Sequence, residues 1–274
     1  MEKLDRLGWA AGICFSAYGR RLGIRTSDGQ VLEGLLGRLP PVRRPLAFPG
    51  VDRLYSLRVG GQEHGSRIRR FHVLYGDTVR LARSMDLEEV FDRLEEDLQL
   101  YVARSARRRI FVHAGVVGWR GRAIVIPGRT FTGKSTLVAA LVRAGAAYYS
   151  DEYAVFDQQG RVHPYPTPLS LRAEGAARPR RLPAQALGRP VGVEPLSVGL
   201  IVASRYHPGA RWRPRRLSPG EAILALLAET VAARSRPAAA LAALRQVVSG
   251  AVALKGTRGE AEDLAGILMT GLEG

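Results

Sequence analysis

Eight consecutive residues carry the clearest chemical signal in the chain. They match the pattern G-x-x-x-x-G-K-[ST] without a gap and are Gly128, Arg129, Thr130, Phe131, Thr132, Gly133, Lys134 and Ser135. Glycines in this pattern allow a tight backbone path whose N–H groups face phosphate oxygens, and a helix starting there adds its positive end. Lys134 is expected to reach the β- and γ-phosphates, and the Ser135 hydroxyl is expected to bind Mg²⁺. The pattern predicts a phosphate loop, which we extend to Thr136.

Two carboxylates, Asp151 and Glu152, follow the phosphate loop after one short helix and one apolar segment. Such a short connection returns the chain beside the loop, so these acids can face the same metal ion and phosphates. Neighbours on a strand point to opposite faces unless the strand ends between them, which predicts different roles for the two acids. A base is needed near the γ-phosphate and a metal ligand near Ser135. A solvated acidic turn is the alternative interpretation.

A histidine and two arginines are weaker candidates for the same site. His113 lies between apolar residues of a predicted strand, where a histidine is more often structural than functional. Ala114 and Gly115 follow it and leave room for close approach of a backbone or a ligand. Arg205 and Arg172 each follow an apolar stretch, where loops often meet phosphate, but arginine is so abundant here that neither anchors a mechanism.

The elements that must position these residues form an α/β pattern. Residues 110–128 predict a β-hairpin around the turn WRGR, so the strand that enters the phosphate loop is the second arm of a hairpin. Ordinary parallel-sheet nucleotide folds instead reach the loop through a crossover. A helix over 134–144, a strand over 147–156, a turn over 157–161, a strand over 196–204 and later helices follow. Ser218, Pro219 and Glu221 predict a capping box, and helices are expected over 238–249 and 259–272.

The first hundred residues predict a separate small module. Residues 12–26, 53–59 and 69–76 are expected to form strands, and 84–108 an amphipathic helix with an acidic face. We therefore predict an N-terminal α/β module over 1–108, of unknown role, and a catalytic domain over 109–274.

Composition limits the compartment and the partners. The 274 residues are 46% apolar, contain no long uncharged apolar run and have one cysteine, Cys14, so the sequence predicts a cytoplasmic protein without a membrane span or signal peptide. The net charge of +16 comes almost entirely from arginine, which is typical of coding bias. Arginine clusters at 177–183 and 205–220 leave an anionic partner open, but no nucleic-acid motif accompanies them.

Residues 113–166 resemble the catalytic core of the HPr kinase/phosphorylase family, specifically its smaller HPr-kinase-like members, which are related in fold to phosphoenolpyruvate carboxykinases. The match extends over roughly 110–205 and rests on the histidine hairpin, the phosphate loop, the short helix and the acidic pair, in that order. It implies a P-loop-containing α/β core of the HPr kinase/PEP carboxykinase type that phosphorylates a serine hydroxyl with ATP and Mg²⁺.

Position by position, the resemblance makes 128–135 the nucleotide loop and Ser135 its metal-binding hydroxyl. Asp151 resembles the proton acceptor, Glu152 the acid on the magnesium side, and His113 the active-site histidine. The pair is Asp-Glu where the bifunctional enzymes have Asp-Asp, and their glycine-rich signature is not recognisable downstream. These departures leave open whether the resemblance extends to phosphorolysis and to the small carrier protein as substrate.

These observations predict an ATP-dependent serine kinase whose partner is a protein or peptide substrate. Two alternatives from other classes stay open: an ATP-binding regulatory or assembly protein that hydrolyses slowly and has no acceptor, and a small-molecule phosphotransferase. A homo-oligomer is compatible with the sequence, and neither a membrane nor a nucleic acid is an expected partner.

Overall fold

The computed structural model describes residues 2–47, 50–60, 71–128, 132–171 and 180–270. Three residues of the predicted phosphate loop, Arg129, Thr130 and Phe131, lie outside these ranges, as does Arg172. Contacts between Cα atoms divide the chain into two units, Met1–Arg107 and Arg108–Gly274. In the described part, no helix is both long and apolar enough to cross a membrane.

The first unit is a mixed sheet flanked by helices. Its strands are β1 (Ala11–Ala17), β2 (Arg20–Thr26), β3 (Arg44–Pro45), β4 (Arg53–Arg58), β5 (His72–Gly76) and β6 (Val79–Ser84), and its helices are α1 (Glu2–Asp5), α2 (Gly29–Leu36) and α3 (Leu87–Ser105). The strand order is β3-β1-β2-β4-β5-β6, with β2 and β4 parallel and the other neighbours antiparallel. The strand over 53–59 and the helix α3 are confirmed, as is a strand within 69–76, whose first two residues lie outside the described ranges. The segment 12–26 is not one strand but the antiparallel pair β1 and β2, which a turn at Tyr18 and Gly19 separates. The edge strand β6 was not predicted, because two arginines interrupt its apolar residues.

The second unit contains a larger sheet and four α-helices among its described residues. Its strands are β7 (Ile110–Trp119), β8 (Arg122–Pro127), β9 (Ala147–Ser150), β10 (Tyr153–Phe156), β11 (Arg161–His163), β12 (Leu169–Leu171), β13 (Arg180–Leu182), β14 (Leu196–Tyr206), β15 (Arg215–Arg216) and β16 (Val252–Arg258). Its helices are α4 (Lys134–Arg143), α5 (Pro219–Ala228), α6 (Pro237–Ser249) and α7 (Ala261–Thr270), with a 3₁₀ turn over Ala184–Leu187.

The main sheet of this unit runs β11-β10-β7-β8-β14-β16-β15, with β9 also paired to β7. The strands β8, β14 and β16 are mutually parallel neighbours, whereas β7 is antiparallel to β8, β9 and β10. The strand β11 pairs with both β10 and β14, so the strand path returns on itself. The strands β12 and β13 form a separate two-stranded ribbon.

Side chains of β7 and β8 alternate between two apolar cores. Val116 and Val125 pack in the core that contains α5 and α6. Val117 and Ile124 pack in the opposite core, which contains α4 and α7. Both faces of this hairpin are therefore buried, which explains why its sequence is almost continuously apolar.

The structure confirms the hairpin and changes two other expectations. Arg120 and Gly121 join β7 to β8 with φ angles of 49° and 75°, as a type I′ turn requires. The segment 147–156 is two strands, β9 and β10, and not one. The strand β16 was missed between two predicted helices, because its sequence VALKGTR mixes charged and apolar residues without a clear period.

Candidate active site

The predicted phosphate loop follows Pro127, the last residue of β8, and α4 begins within it at Lys134. The Gly128 N–H donates to the His113 carbonyl oxygen at 3.2 Å, which ties the start of the loop to β7. Gly133 has a φ of +79°, a left-handed conformation that glycine adopts without strain. The helix α4 then begins at Lys134 with its free N–H groups at the loop, an arrangement suited to binding an anion.

A glycine in β7 allows α4 to lie close to the sheet. A Cβ atom added to Gly115 would lie 2.5 Å from Val138 Cγ2 and 3.1 Å from Lys134 Cγ. Any other residue there would push the first turns of α4 away from β7. The same contact helps to bury Lys134, whose relative exposure is 8%.

The acidic pair lies in a bend between β9 and β10. Both strands pair with β7, and their register places the bend opposite Ala114 and Gly115. The Ser150 hydroxyl accepts hydrogen bonds from the N–H groups of Glu152 and Tyr153, at 3.2 and 3.0 Å, which stabilises the bend. The Ala114 N–H donates to the Glu152 carbonyl oxygen at 3.2 Å. The bend interrupts the alternation of side-chain directions along the strand, so the two acids have different surroundings.

Asp151 points into the protein beside the start of α4. Its residue exposure is 3%, and its Oδ2 accepts a hydrogen bond from the Ser170 N–H at 3.1 Å. Burial raises the pKa of Asp151, and the Glu152 charge adds to this. The Ser170 N–H, the Lys134 charge and a hydrogen bond from the Ser135 hydroxyl offset the rise only in part. Asp151 is therefore a buried acid near enough to the predicted metal-binding hydroxyl of Ser135 for that hydroxyl to lower its pKa.

Glu152 lies on the open side of the bend and pairs with His113. Glu152 Oε1 is 3.5 Å from His113 Nδ1, and the side chains are 43% and 36% exposed. Partial burial alone would raise the pKa of Glu152, but the hydrogen bond from His113 and the Lys134 charge outweigh it and lower that pKa. The His113 ring packs on the Tyr153 ring with 4.7 Å between centroids, which fixes its orientation. Glu152 is therefore an accessible carboxylate held by a histidine.

The bend thus divides the predicted residues into two groups. Ser135 and Asp151 form one, and His113 and Glu152 form the other, with the Lys134 charge acting on both acids. The sequence placed Glu152 on the magnesium side with Ser135 and gave the base to Asp151. In the structure, Asp151 is the acid beside Ser135, and Glu152 is the acid beside His113.

Comparison with known proteins adds little to this geometry. The chain matches no protein-family model and no curated protein. Among solved structures, it is similar to the Hpr(Ser) kinase/phosphatase from Coxiella burnetii, with a TM-score of 0.34 and 17% identity over 60% of this chain and 93% of that chain. A similarity this distant carries no activity across to the present chain.

Two threonines belong to the described part of the predicted loop, and Ser135 and Asp151 are candidate metal ligands. Thr132 is half-buried and Thr136 is exposed on the first turn of α4. No group of three or more His, Cys, Asp and Glu side chains among the described residues forms a ready-made metal site. A hydroxyl and a carboxylate oxygen, from Ser135 and Asp151, are nonetheless ligands that suit Mg²⁺, which binds few protein ligands and keeps several waters. The donor set therefore fits Mg²⁺ bound together with nucleotide phosphates.

Sequence reasoning missed Arg258, at the end of β16. Its relative exposure is 2%, and its guanidinium donates to the carbonyl oxygens of Gly133 and Gly259, both at 2.8 Å. Burial lowers the pKa of Arg258, although the charges of Glu260 and Glu262 act against this. No sequence signal was available, because β16 itself was not predicted and arginine is frequent in this chain. Arg258 therefore stabilises the predicted phosphate loop at Gly133 through a buried hydrogen bond.

Proposed function

We propose that the second unit is an ATP-dependent kinase that transfers the γ-phosphate to a serine hydroxyl of a protein or peptide. One observation carries this proposal: a single bend brings Asp151 to Ser135 and Glu152 to His113, at the start of the helix that follows a complete phosphate-loop motif. A protein that only binds nucleotide needs the pair formed by Asp151 and Ser135. The second pair adds an accessible carboxylate held by a histidine, which a transferase can use.

In this proposal the loop N–H groups and Lys134 bind the triphosphate. Ser135 and Asp151 hold Mg²⁺, which neutralises negative charge on the phosphates when bound. The acceptor oxygen forms a bond to the γ-phosphorus as the bond to the ADP oxygen breaks, and the hydroxyl proton passes to Glu152. His113 orients that carboxylate. Positioning and charge neutralisation supply most of the rate enhancement, because phosphoryl transfer needs little help from a strong base.

The buried position of Asp151 supports the exchange of roles between the two acids. An incoming hydroxyl must reach its base within hydrogen-bond distance. Asp151 is 3% exposed and already accepts a hydrogen bond from the Ser170 N–H, whereas about two fifths of the Glu152 side chain is exposed.

Three variants test the proposal with γ-labelled ATP and host lysate. Lys134→Ala is expected to lose ATP binding. Glu152→Gln is expected to keep Mg²⁺-dependent ATP binding and to lose transfer by about 100-fold or more, the size of a typical acid–base contribution. Asp151→Asn is expected to lose the Mg²⁺ dependence of ATP binding. Asp263→Asn, at an exposed site on α7, is the control and should match the wild type.

The outcomes separate the alternatives. Transfer that survives Glu152→Gln but not Asp151→Asn, with Mg²⁺-dependent binding intact in both, would return the base to Asp151. Release of free phosphate without any labelled acceptor would favour the regulatory or assembly protein. A labelled product that passes a small-pore filter would favour the small-molecule phosphotransferase.

A further inference from the structure

A basic pocket lies at the edge of the sheet where β8, β14 and β16 end. It has a volume of about 670 Å³, and its lining includes Pro127, Arg205, Arg213 and Lys255. Because these three strands are parallel, their carboxyl ends meet at one edge, which is where open α/β sheets commonly bind ligands. Residues from the end of α5, among them Glu229, close the other side.

Three cations of the pocket have no ionic partner among the residues that the structure describes. Arg205, Arg213 and Lys255 are exposed, and none makes an ion pair or a side-chain hydrogen bond with any residue in the described ranges. Arg215, which also lines the pocket, differs because it pairs with Glu221 at 2.7 Å. The three cations come from β14, from the segment before β15 and from β16, so they offer several separate points of attachment.

The basic pocket adjoins the candidate active site at two points. Pro127 lines it and directly precedes Gly128, the first residue of the phosphate loop. On its other side, the Glu229 carbonyl oxygen accepts a hydrogen bond from the His113 N–H at 2.9 Å. A substrate lying in the pocket would therefore be next to both the loop and the His113–Glu152 pair.

We propose that the basic pocket binds an acidic segment of the phosphate acceptor, with Asp or Glu side chains flanking the serine that is phosphorylated. This inference rests on the proposed kinase function and names its substrate class. Arginine binds carboxylates through paired hydrogen bonds, and Lys255 adds a point charge. Alanines and Pro127 supply an apolar surface for the aliphatic parts of the segment. No described aromatic side chain lines the pocket, whereas single-stranded nucleic acids are usually held by stacking on such side chains.

Two short peptides test this, identical except that aspartates flank the single serine in one and asparagines in the other. Binding to the full-length protein is measured by fluorescence anisotropy, and phosphorylation by steady-state kinetics with Mg²⁺ and ATP. The aspartate peptide should have a KM at least about tenfold lower, and added salt should reduce the difference, because exposed charges are screened. Arg205→Gln and Lys255→Gln should each raise its KM by about fivefold without a matching fall in kcat, the range expected of partly exposed charge pairs.

Arg216→Gln is the matched control, because this neighbouring arginine is exposed but does not line the pocket. Its KM for the aspartate peptide should stay within about twofold of the wild type, the scatter expected of a surface change. Equal KM values for the two peptides in an active enzyme would overturn the inference and leave the kinase function standing. Binding of the aspartate peptide that depends on Arg205 and Lys255, with no phosphate transfer to any acceptor, would support the pocket and refute the kinase function. Failure of the aspartate peptide to bind at low salt, or an Arg205-dependent affinity for RNA that exceeds it, would also overturn the inference.

Discussion

Replacing Asp151 with asparagine should stabilise the nucleotide-free protein while it removes function. The Tyr148 hydroxyl lies 2.8 Å from the Thr167 carbonyl oxygen and 3.2 Å from Asp151 Oδ1, but a phenol has one proton and can donate to one of them. When the Tyr148 proton lies in the shorter hydrogen bond, to Thr167, the ionised Asp151 carboxylate faces the phenol oxygen of Tyr148 with no proton between the two oxygens. An asparagine would supply the missing donor to Tyr148 and keep an acceptor for the Ser170 N–H.

The size of the effect follows from the buried charge. Burial is the largest influence on Asp151 and raises its pKa despite three favourable partners. Each unit of such a rise is worth about 1.4 kcal/mol against the ionised form. We expect Asp151→Asn to add about 1 to 2 kcal/mol to the unfolding free energy at neutral pH, the usual gain when a functional strained group is removed. This corresponds to a rise of about 3 to 6 °C in the melting temperature of a unit of this size.

The pH dependence of the unfolding free energy tests separately whether Asp151→Asn stabilises the protein. Because the folded pKa of Asp151 is raised, the folded wild type binds more protons than the unfolded chain above an unfolded pKa of about 3.9, so its stability falls as the pH rises toward the folded pKa. Asp151→Asn lacks this loss. Its advantage over the wild type should be absent near pH 4 and grow toward neutral pH, as measured by thermal melting in EDTA.

The controls for this prediction separate charge from general damage. Glu152→Gln changes a partly exposed acid and should alter the melting temperature by no more than about 2 °C, since surface substitutions rarely exceed 0.5 kcal/mol. Addition of Mg²⁺ and ATP should reverse the order, because a ligand stabilises the form that binds it better. An Asp151→Asn protein that melts below the wild type at neutral pH, or that shows the wild-type pH dependence, would refute the reasoning.

Three further changes probe the surroundings of the site. Gly115→Ala should lower the unfolding free energy by about 1 to 3 kcal/mol and weaken ATP binding measured by calorimetry, because its Cβ would lie 2.5 Å from Val138 Cγ2 and overpack the α4 contact. Arg258→Met should destabilise by about 2 to 4 kcal/mol and also weaken ATP binding, because the Gly133 carbonyl oxygen loses a buried charged donor. Asp157 is buried after β10 and accepts hydrogen bonds from the Gln159 N–H and from the N–H and guanidinium of Arg161, with His163 Nε2 2.9 Å away. Asp157→Asn should lose about 1 to 3 kcal/mol at neutral pH in urea unfolding, the range for a broken buried hydrogen-bond network.

Each of these changes has its own check. Gly266→Ala introduces a methyl group on α7 where nothing lies within 4 Å, so it should not destabilise, and a similar loss there would remove the steric explanation for Gly115. Arg211→Met changes an exposed arginine and should leave ATP affinity intact. For Asp157, burial alone would raise the pKa, but hydrogen bonds from His163 and Arg161 lower it, so its contribution is present above the unfolded pKa and is lost as the pH falls through the folded value. An Asp157→Asn deficit that does not shrink as the pH falls below the unfolded pKa would contradict this.

Much of the site's framework could be predicted because its signals are local. The β7–β8 hairpin follows from the Arg120–Gly121 turn between two apolar runs, and the helix after the phosphate loop follows from its motif and periodicity. The capping box of α5 is also a local signal, and both of its hydrogen bonds are present. Each of these features depends on residues within a few positions of one another, which is the range over which sequence patterns are informative.

The missed features depend on long-range contacts. The strand β16 pairs with β14, about fifty residues earlier, and the sequence VALKGTR does not indicate which strand it pairs with. Arg258 reaches Gly133 across 125 positions of the chain. The division of the two acids depends on the Ser150 hydroxyl, which bends the strand between β9 and β10, and on the register of both strands with β7. A sequence pattern shows that two acids are adjacent, but not which of them the bend buries.

The β7–β8 hairpin that leads into the predicted phosphate loop places several contacts of the candidate site on one strand, β7. Because β7 is antiparallel to β8, its residues next to the loop come from the middle of the same hairpin and not from a distant crossover. The His113 carbonyl oxygen accepts from the Gly128 N–H, and the His113 N–H donates to the carbonyl oxygen of Glu229 in the basic pocket. The Ala114 N–H holds the acidic bend, and Gly115 allows the close approach of α4. Three consecutive residues of one strand thus set the positions of the loop, the acids and the pocket. In a parallel-sheet nucleotide fold these tasks fall to separate segments, so a shift of one need not disturb the others. Here, a change in the path of β7 at 113–115 should alter nucleotide binding, phosphate transfer and acceptor binding together.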